Sequence, residues 1–226
     1  MSLKVAILLF DEVEVLDFAG PYEVFTTASR LARRGGAAAP FEVFTVAAEP
    51  GPRRARAGLT VQADHGFASH PPVDLLVVPG GVVDAELRRP QTLDWLRHQA
   101  PSCRLLASVC TGSFLLAAAG LLDGLPATTH WEDVEDLRAL RPGLEVLDGP
   151  RWVDAGRVVS SAGISAGIDM SLHLVERLAG RGLALRTARQ MDVDWLERGV
   201  TLGGTRVGAP DTAHLALPVT PRHLPR

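Results

Sequence analysis

Cysteine is scarce in this chain: two in 226 residues, Cys103 and Cys110, close together in one apolar segment. That spacing builds no disulfide framework, and no Cys/His cluster has the spacing of a zinc site. No apolar run reaches membrane-spanning length. The first ten residues lead straight into a strand pattern, without the cationic start of a secretory signal. The net charge of -3 offers nothing to attract nucleic acid or an anionic membrane. No internal repeat is present. A reducing, cytoplasmic setting is the expectation. What remains is a chain with 46% hydrophobic and 22% charged residues, proportions of a folded soluble protein. Its length suits one well-buried α/β domain and not two.

Short continuous apolar runs at residues 5–10, 41–47, 74–78 and 104–109 read as strands buried on both faces, with a shorter strand at 59–63. Helical spacing covers 16–34, ending at Gly35-Gly36, and 91–99, 112–122, 134–140, 164–179 and 183–195. Residues 51–58 read as a basic loop, and 144–147 and 152–160 as a pair of strands. Strands alternating with helices imply a mostly parallel sheet with helices on both faces. The domain is expected to span residues 1–197. The Gly- and Pro-rich residues 198–226 are expected to form an irregular tail, lying on the surface or a partner subunit, or disordered like a tag.

Three segments share the carboxyl edge of that sheet. At Ala107-Ser-Val-Cys110-Thr-Gly-Ser113 a buried strand runs into a helix within two residues, so Cys110 sits on a sharp turn that Gly112 lets close. This is the logic of a nucleophile elbow, placed where open α/β sheets bind ligands. The helix amino terminus is expected to lower the thiol pKa. The plainer reading of Cys110 is a small buried hydrophobe, a description that fits Cys103 well. At Val78-Pro79-Gly80-Gly81, backbone N–H groups can approach a ligand and, with that of Thr111, form an anion hole. An ordinary Pro-Gly turn is equally consistent with it. Asp17, after the first strand, is either a carboxylate offsetting a helix dipole or, within reach of Cys110, a carboxyl held protonated and ready to donate.

These pieces, in order, resemble the DJ-1/PfpI superfamily. The segments that carry the likeness are Leu16-Asp-Phe-Ala-Gly-Pro21, Val78-Pro-Gly-Gly81, Val109-Cys-Thr-Gly-Ser113, Ala127-Thr-Thr-His-Trp131 and Ser161-Ala-Gly-Ile-Ser-Ala-Gly-Ile-Asp169. The resemblance implies a flavodoxin-like sandwich, a homodimer and an elbow cysteine in a strained backbone conformation. Within the superfamily, Asp17 and Thr111 match the isonitrile hydratase branch. The glyoxalase branch carries Glu at the first of these positions, and the PfpI-type peptidases carry His after the cysteine. The Thr-Thr-His-Trp segment also occurs in sensor domains of AraC-like regulators, whose DNA-binding domain has no counterpart pattern after Trp195.

The expectation is thus a cysteine-dependent enzyme acting on a small-molecule electrophile, without metal or organic cofactor. Cys110 attacks, Asp17 moves protons, and Thr111 and Gly81 stabilise charge, with Gly80 and His130 in the pocket. Alternatives from other classes are a redox sensor built on the same cysteine, a glyoxalase or a peptidase. His130 either orients substrate or is anchored by hydrogen bonds near a helix start. Asp169 reads as structural, and Arg53, Arg54 and Arg56 as a solvated cluster. Trp152, Trp131 and Phe18 are either pocket walls or core.

Overall fold

The computed structural model describes residues 2–202. In chain order its elements are β1 (Leu3–Leu8), α1 (Val15–Arg34), β2 (Phe41–Ala47), β3 (Gly51–Arg54), β4 (Thr60–Ala63), β5 (His65–Gly66) and β6 (Leu75–Val78). Then come α2 (Asp84–Leu87), α3 (Pro90–Gln99), β7 (Leu105–Val109), α4 (Gly112–Ala118), α5 (Val134–Leu140), β8 (Trp152–Asp154), β9 (Val158–Ser161), α6 (Ala166–Ala179), α7 (Arg181–Gln190) and β10 (Gly199–Thr201).

Eight strands form one sheet in the order β10-β8-β9-β7-β6-β1-β2-β5, parallel except for the β8–β9 hairpin. The central run β2-β1-β6-β7-β9 is the flavodoxin-like order, with the switch point beside β1. β6 and β7 are buried at every position, as runs of Leu and Val covered on both faces must be. One group of helices, α1, α6 and α7, packs together, and α2 to α5 form the other. The β1–α1, β6–α2 and β7–α4 junctions all open on the carboxyl edge.

The sheet and most helices follow the sequence pattern; several boundaries do not. Residues 51–54 are no loop: β3 pairs antiparallel with β4, and the Arg54 N–H donates to Asp11 Oδ1 at 2.8 Å. Residues 144–147 form no strand, because only Val146 finds a bridge partner, Ala127. The true hairpin is β8–β9. α4 stops at Ala118, where the N–H groups of Gly120 and Leu121 turn back to the carbonyls of Ala117 and Leu116. α7 ends at Gln190, and the Trp195 indole beyond it donates to the Asp169 carbonyl at 3.1 Å. Gly199–Thr201, assigned from sequence to the irregular tail, is a strand paired with β8. Residues 203–226 lie outside the described residues. Among the described residues no helix is long and apolar enough to cross a membrane.

Candidate functional site

The apolar strand β7 delivers Cys110 to the carboxyl edge, and the chain turns at once into α4. The turn is tight because residue 112 has no side chain: a Cβ there would lie 2.0 Å from the Val78 carbonyl oxygen. Cys110 takes a φ of 55°, left-handed backbone that a side chain resists. Surrounding bonds hold it there. Its N–H donates to the Ser161 carbonyl at 3.2 Å, and its carbonyl accepts from the Thr129 hydroxyl at 2.9 Å and the Ser113 hydroxyl at 3.0 Å. Strain fixed by several independent contacts is typical of functional turns.

Asp17, in the first turn of α1, is fully buried. Its Oδ2 accepts the Gly80 N–H at 3.0 Å. Its Oδ1 meets no strict hydrogen-bond donor, and the Cys110 thiol is the side-chain group that interacts with the carboxyl. Burial drives the Asp17 carboxyl from its ordinary 3.8 up to about 7, against the opposing Gly80 N–H; the Glu14 charge adds to the rise. Burial also pushes the Cys110 thiol from 9.0 up to about 12, with Asp17 charge adding and the N–H groups of Thr111 and Ile164 opposing. The thiol lowering expected from the helix terminus is therefore overturned. α4 has seven residues, so its dipole is small, and desolvation outweighs it. The two groups instead form a coupled pair that shares protons.

The structure also redistributes the expected anion hole. The Gly80 N–H is committed to Asp17. The Gly81 N–H donates to Thr111 Oγ1 at 2.9 Å, and that hydroxyl donates to the Gly81 carbonyl at 2.9 Å. Gly80 and Gly81 thus brace the site. The donors that face the sulfur are the backbone N–H groups of Thr111 and Ile164. Ile164 was not singled out from sequence. It sits at φ 49°, which an alternating Ala-Gly-Ile segment does not advertise, and its side chain is 40% exposed at the cleft.

Above the sulfur lies a cleft of about 490 Å³, lined at its base by Cys110, Thr111, Gly81, Phe114, His130 and Ile164. His130 both lines this cleft and caps the turn that leads into α5: its Nδ1 accepts the Glu132 N–H at 3.4 Å and lies 3.4 Å from Asp133 Oδ2. Arg56 is not simply a solvated cation, because the β3–β4 hairpin brings it to the cleft, where it pairs with Glu14 at 3.2 Å. Trp152 and Phe18 are buried away from the cleft, and Trp131 is 71% exposed beside His130. Asp169 is structural: Arg151 Nε donates to it at 2.5 Å and the Leu196 N–H at 2.9 Å, tying the segment after α7 to α6. Cys103 is buried near Arg157, away from the cleft. Among the described residues no cluster of three or more His, Cys, Asp or Glu is placed to hold a metal ion.

A flavodoxin-like sheet with a cysteine elbow at its carboxyl edge, and a buried carboxyl against the thiol, defines a cysteine-centred α/β sandwich. Residues 3–177 match the DJ-1/PfpI family, and the chain belongs to it. It is 36% identical over 193 residues to isonitrile hydratase from Pseudomonas putida, covering 85% of this chain and 79% of that one. It is 32% identical over 196 residues to the HTH-type transcriptional regulator CdhR of Pseudomonas aeruginosa, covering 84% of this chain but 55% of the regulator. A ThiJ/PfpI family protein from Pseudomonas syringae superposes with a TM-score of 0.76 at 27% identity, covering 86% of this chain and 76% of that one.

Proposed function

We propose that the protein hydrates a small carbon electrophile, an isonitrile, to the N-substituted formamide, with Cys110 as nucleophile and Asp17 as proton carrier. The observation that carries this reading is the fully buried Asp17 carboxyl, raised to about 7, against the Cys110 thiol. A peptidase needs a base to activate the thiol and an acid for an amine leaving group. Hydration of an isonitrile has no leaving group and needs one group that gives and takes the same proton near neutral pH. The similarity to isonitrile hydratase supports the assignment.

The sulfur forms a bond to the terminal isonitrile carbon, and the proton shared by the Cys110–Asp17 pair moves to that carbon. The product is a thioimidate, and Asp17 is left ionised. Asp17 then takes a proton from water as the hydroxyl adds to the same carbon, and passes that proton to nitrogen. The tetrahedral adduct gives its hydroxyl proton to Asp17, the C–S bond breaks, and the formamide leaves with the thiolate–carboxyl pair restored. The N–H groups of Thr111 and Ile164 stabilise the sulfur anion when it forms and when it departs. Covalent catalysis of this kind divides one difficult addition into two easier ones.

The test is conversion of a simple alkyl isonitrile to its formamide by purified protein, followed by NMR. Cys110→Ala should abolish it. Absence of turnover by the wild type across several isonitriles removes the hydratase reading and leaves the fold untouched. A second reading, a sensor module, is favoured by the likeness to CdhR. Selective oxidation of Cys110 by mild peroxide, with no turnover of any isonitrile, would support it.

A further inference from the structure

The N–H that Ile164 turns toward the Cys110 sulfur comes from a turn its own backbone resists. Ile164 has a φ of 49°, which a β-branched residue rarely adopts. Its N–H donates to no carbonyl among the described residues, and the sulfur is the group it faces. Residues 162–165 lie between β9 and α6 and belong to neither. A strained turn of this kind persists only where its surroundings hold it. Arg151, just before β8, holds it at both ends. The Arg151 carbonyl accepts the Ala162 N–H at 2.9 Å, and Nη2 donates to Ser165 Oγ at 3.1 Å. Arg151 is itself fixed twice. Its Nε donates at 2.5 Å to Asp169 Oδ2, buried in the first turn of α6, and its N–H donates to the Arg198 carbonyl at 2.8 Å. Ser165 gives a second, independent sign. It stands at the N-cap position of α6, where a serine hydroxyl ordinarily accepts an N–H of the first helical turn. Here it makes no capping bond, and its oxygen accepts from the guanidinium instead. On its other side the turn closes on His130, whose ring would lie 1.9 Å from a Cβ at Gly163.

We propose that Arg151 and Ser165 are positioning residues for the chemistry of Cys110: together they clamp residues 162–165 so that the Ile164 N–H meets the sulfur. This deepens the hydration reading and rests on it for the reaction that the sulfur performs. Neither side chain lines the cleft, so neither touches substrate, and their effect passes through Ile164. A hydrogen bond to sulfur matters most when the sulfur carries charge, as it does on attack and on departure. Loosening the clamp therefore slows the chemical step and leaves substrate binding alone. The same bond governs how readily the thiol reacts with any electrophile, so the clamp can be tested without turnover.

The measurement is the rate of Cys110 alkylation by iodoacetamide at fixed pH, followed by intact-protein mass spectrometry. Cys103 is only 2% exposed, and Cys110→Ala reports any labelling at it. Ser165→Ala removes only the Arg151 bond to the turn and leaves Arg151 on Asp169. Ser165 is exposed, so the urea midpoint should barely move. Its alkylation should slow by about tenfold, the factor carried by one hydrogen bond to a charged group. Ser165→Thr keeps the hydroxyl and should restore the rate. Arg151→Lys keeps a charge beside Asp169 but has no second arm for Ser165. It should slow alkylation to a similar degree, and the double variant should lose no more than either single one, as partners in one bond do. Unchanged rates in both single variants, losses that add in the double variant, or a loss that Ser165→Thr does not restore would overturn the proposal. Turnover separates the two readings. If isonitriles are hydrated, Ser165→Ala should lower kcat by about tenfold and leave KM unchanged. If none is hydrated by the wild type, the hydration reading fails, while the alkylation rates still decide whether Arg151 and Ser165 set the reactivity of the sulfur.

Discussion

Asp17→Asn separates the two sides of the site's energetics. In the unfolded chain this carboxyl ionises near 3.8, and in the folded protein near 7, because ionisation inside the fold strands a charge out of water. A raised folded pKa means that the protonated form is favoured by folding. Below pH 3.8 the group is neutral in both states and carries no penalty. As the pH rises from about 4 to about 7, the unfolded chain releases the proton and the folded protein keeps it, so stability falls by about 1.4 kcal/mol per pH unit. Above pH 7 the whole penalty, roughly 4 kcal/mol, is present. Asparagine has no proton to release. Its carbonyl can accept the Gly80 N–H, which Oδ2 now does at 3.0 Å, and its amide replaces the oxygen that lacks a strict partner. The variant should therefore exceed the wild type by only about 1 kcal/mol near pH 4.5 and by up to about 4 kcal/mol at pH 8. It should also lose all hydration activity, the usual exchange of stability for function at a strained site. Urea unfolding followed by far-UV circular dichroism, at intervals from pH 4.5 to 8, measures the difference. Parallel stability curves, or a gap that narrows as pH rises, would refute the argument that burial dominates this carboxyl.

Gly112→Ala should destabilise the fold by about 3 kcal/mol, read as a shift in the urea midpoint, because its Cβ meets the rigid Val78 backbone rather than a side chain that can move. Thr111→Val removes both hydrogen bonds to Gly81 at about 1 kcal/mol each, and should lower thermal stability and turnover together. Asp169→Ala leaves Arg151 and the Leu196 N–H without their shared acceptor and should cost about 3 kcal/mol in thermal unfolding, whereas Asp169→Asn, still able to accept one bond, should lose less.

The layers of this protein were legible in its sequence because they are local. Continuous runs of Val and Leu dictate buried strands, as β6 shows, and an apolar helical stripe dictates α6. The Cys110 elbow was legible for the same reason: a buried strand that passes into a helix within two residues leaves room for one geometry. What depended on partners was not legible. β10 is a strand only because β8 offers it an edge, and the basic segment 51–54 is a strand only because β4 pairs with it. The allocation of N–H groups among Asp17, Thr111 and the sulfur follows from how three loops meet, so Gly81 became a brace and Ile164 a donor. The direction of the Cys110 shift was likewise decided by tertiary packing, since burial and a neighbouring carboxyl outweigh a short helix's dipole. Glu14, Arg56 and Asp136 are remote in sequence, and only the fold brings all three to the cleft above Cys110.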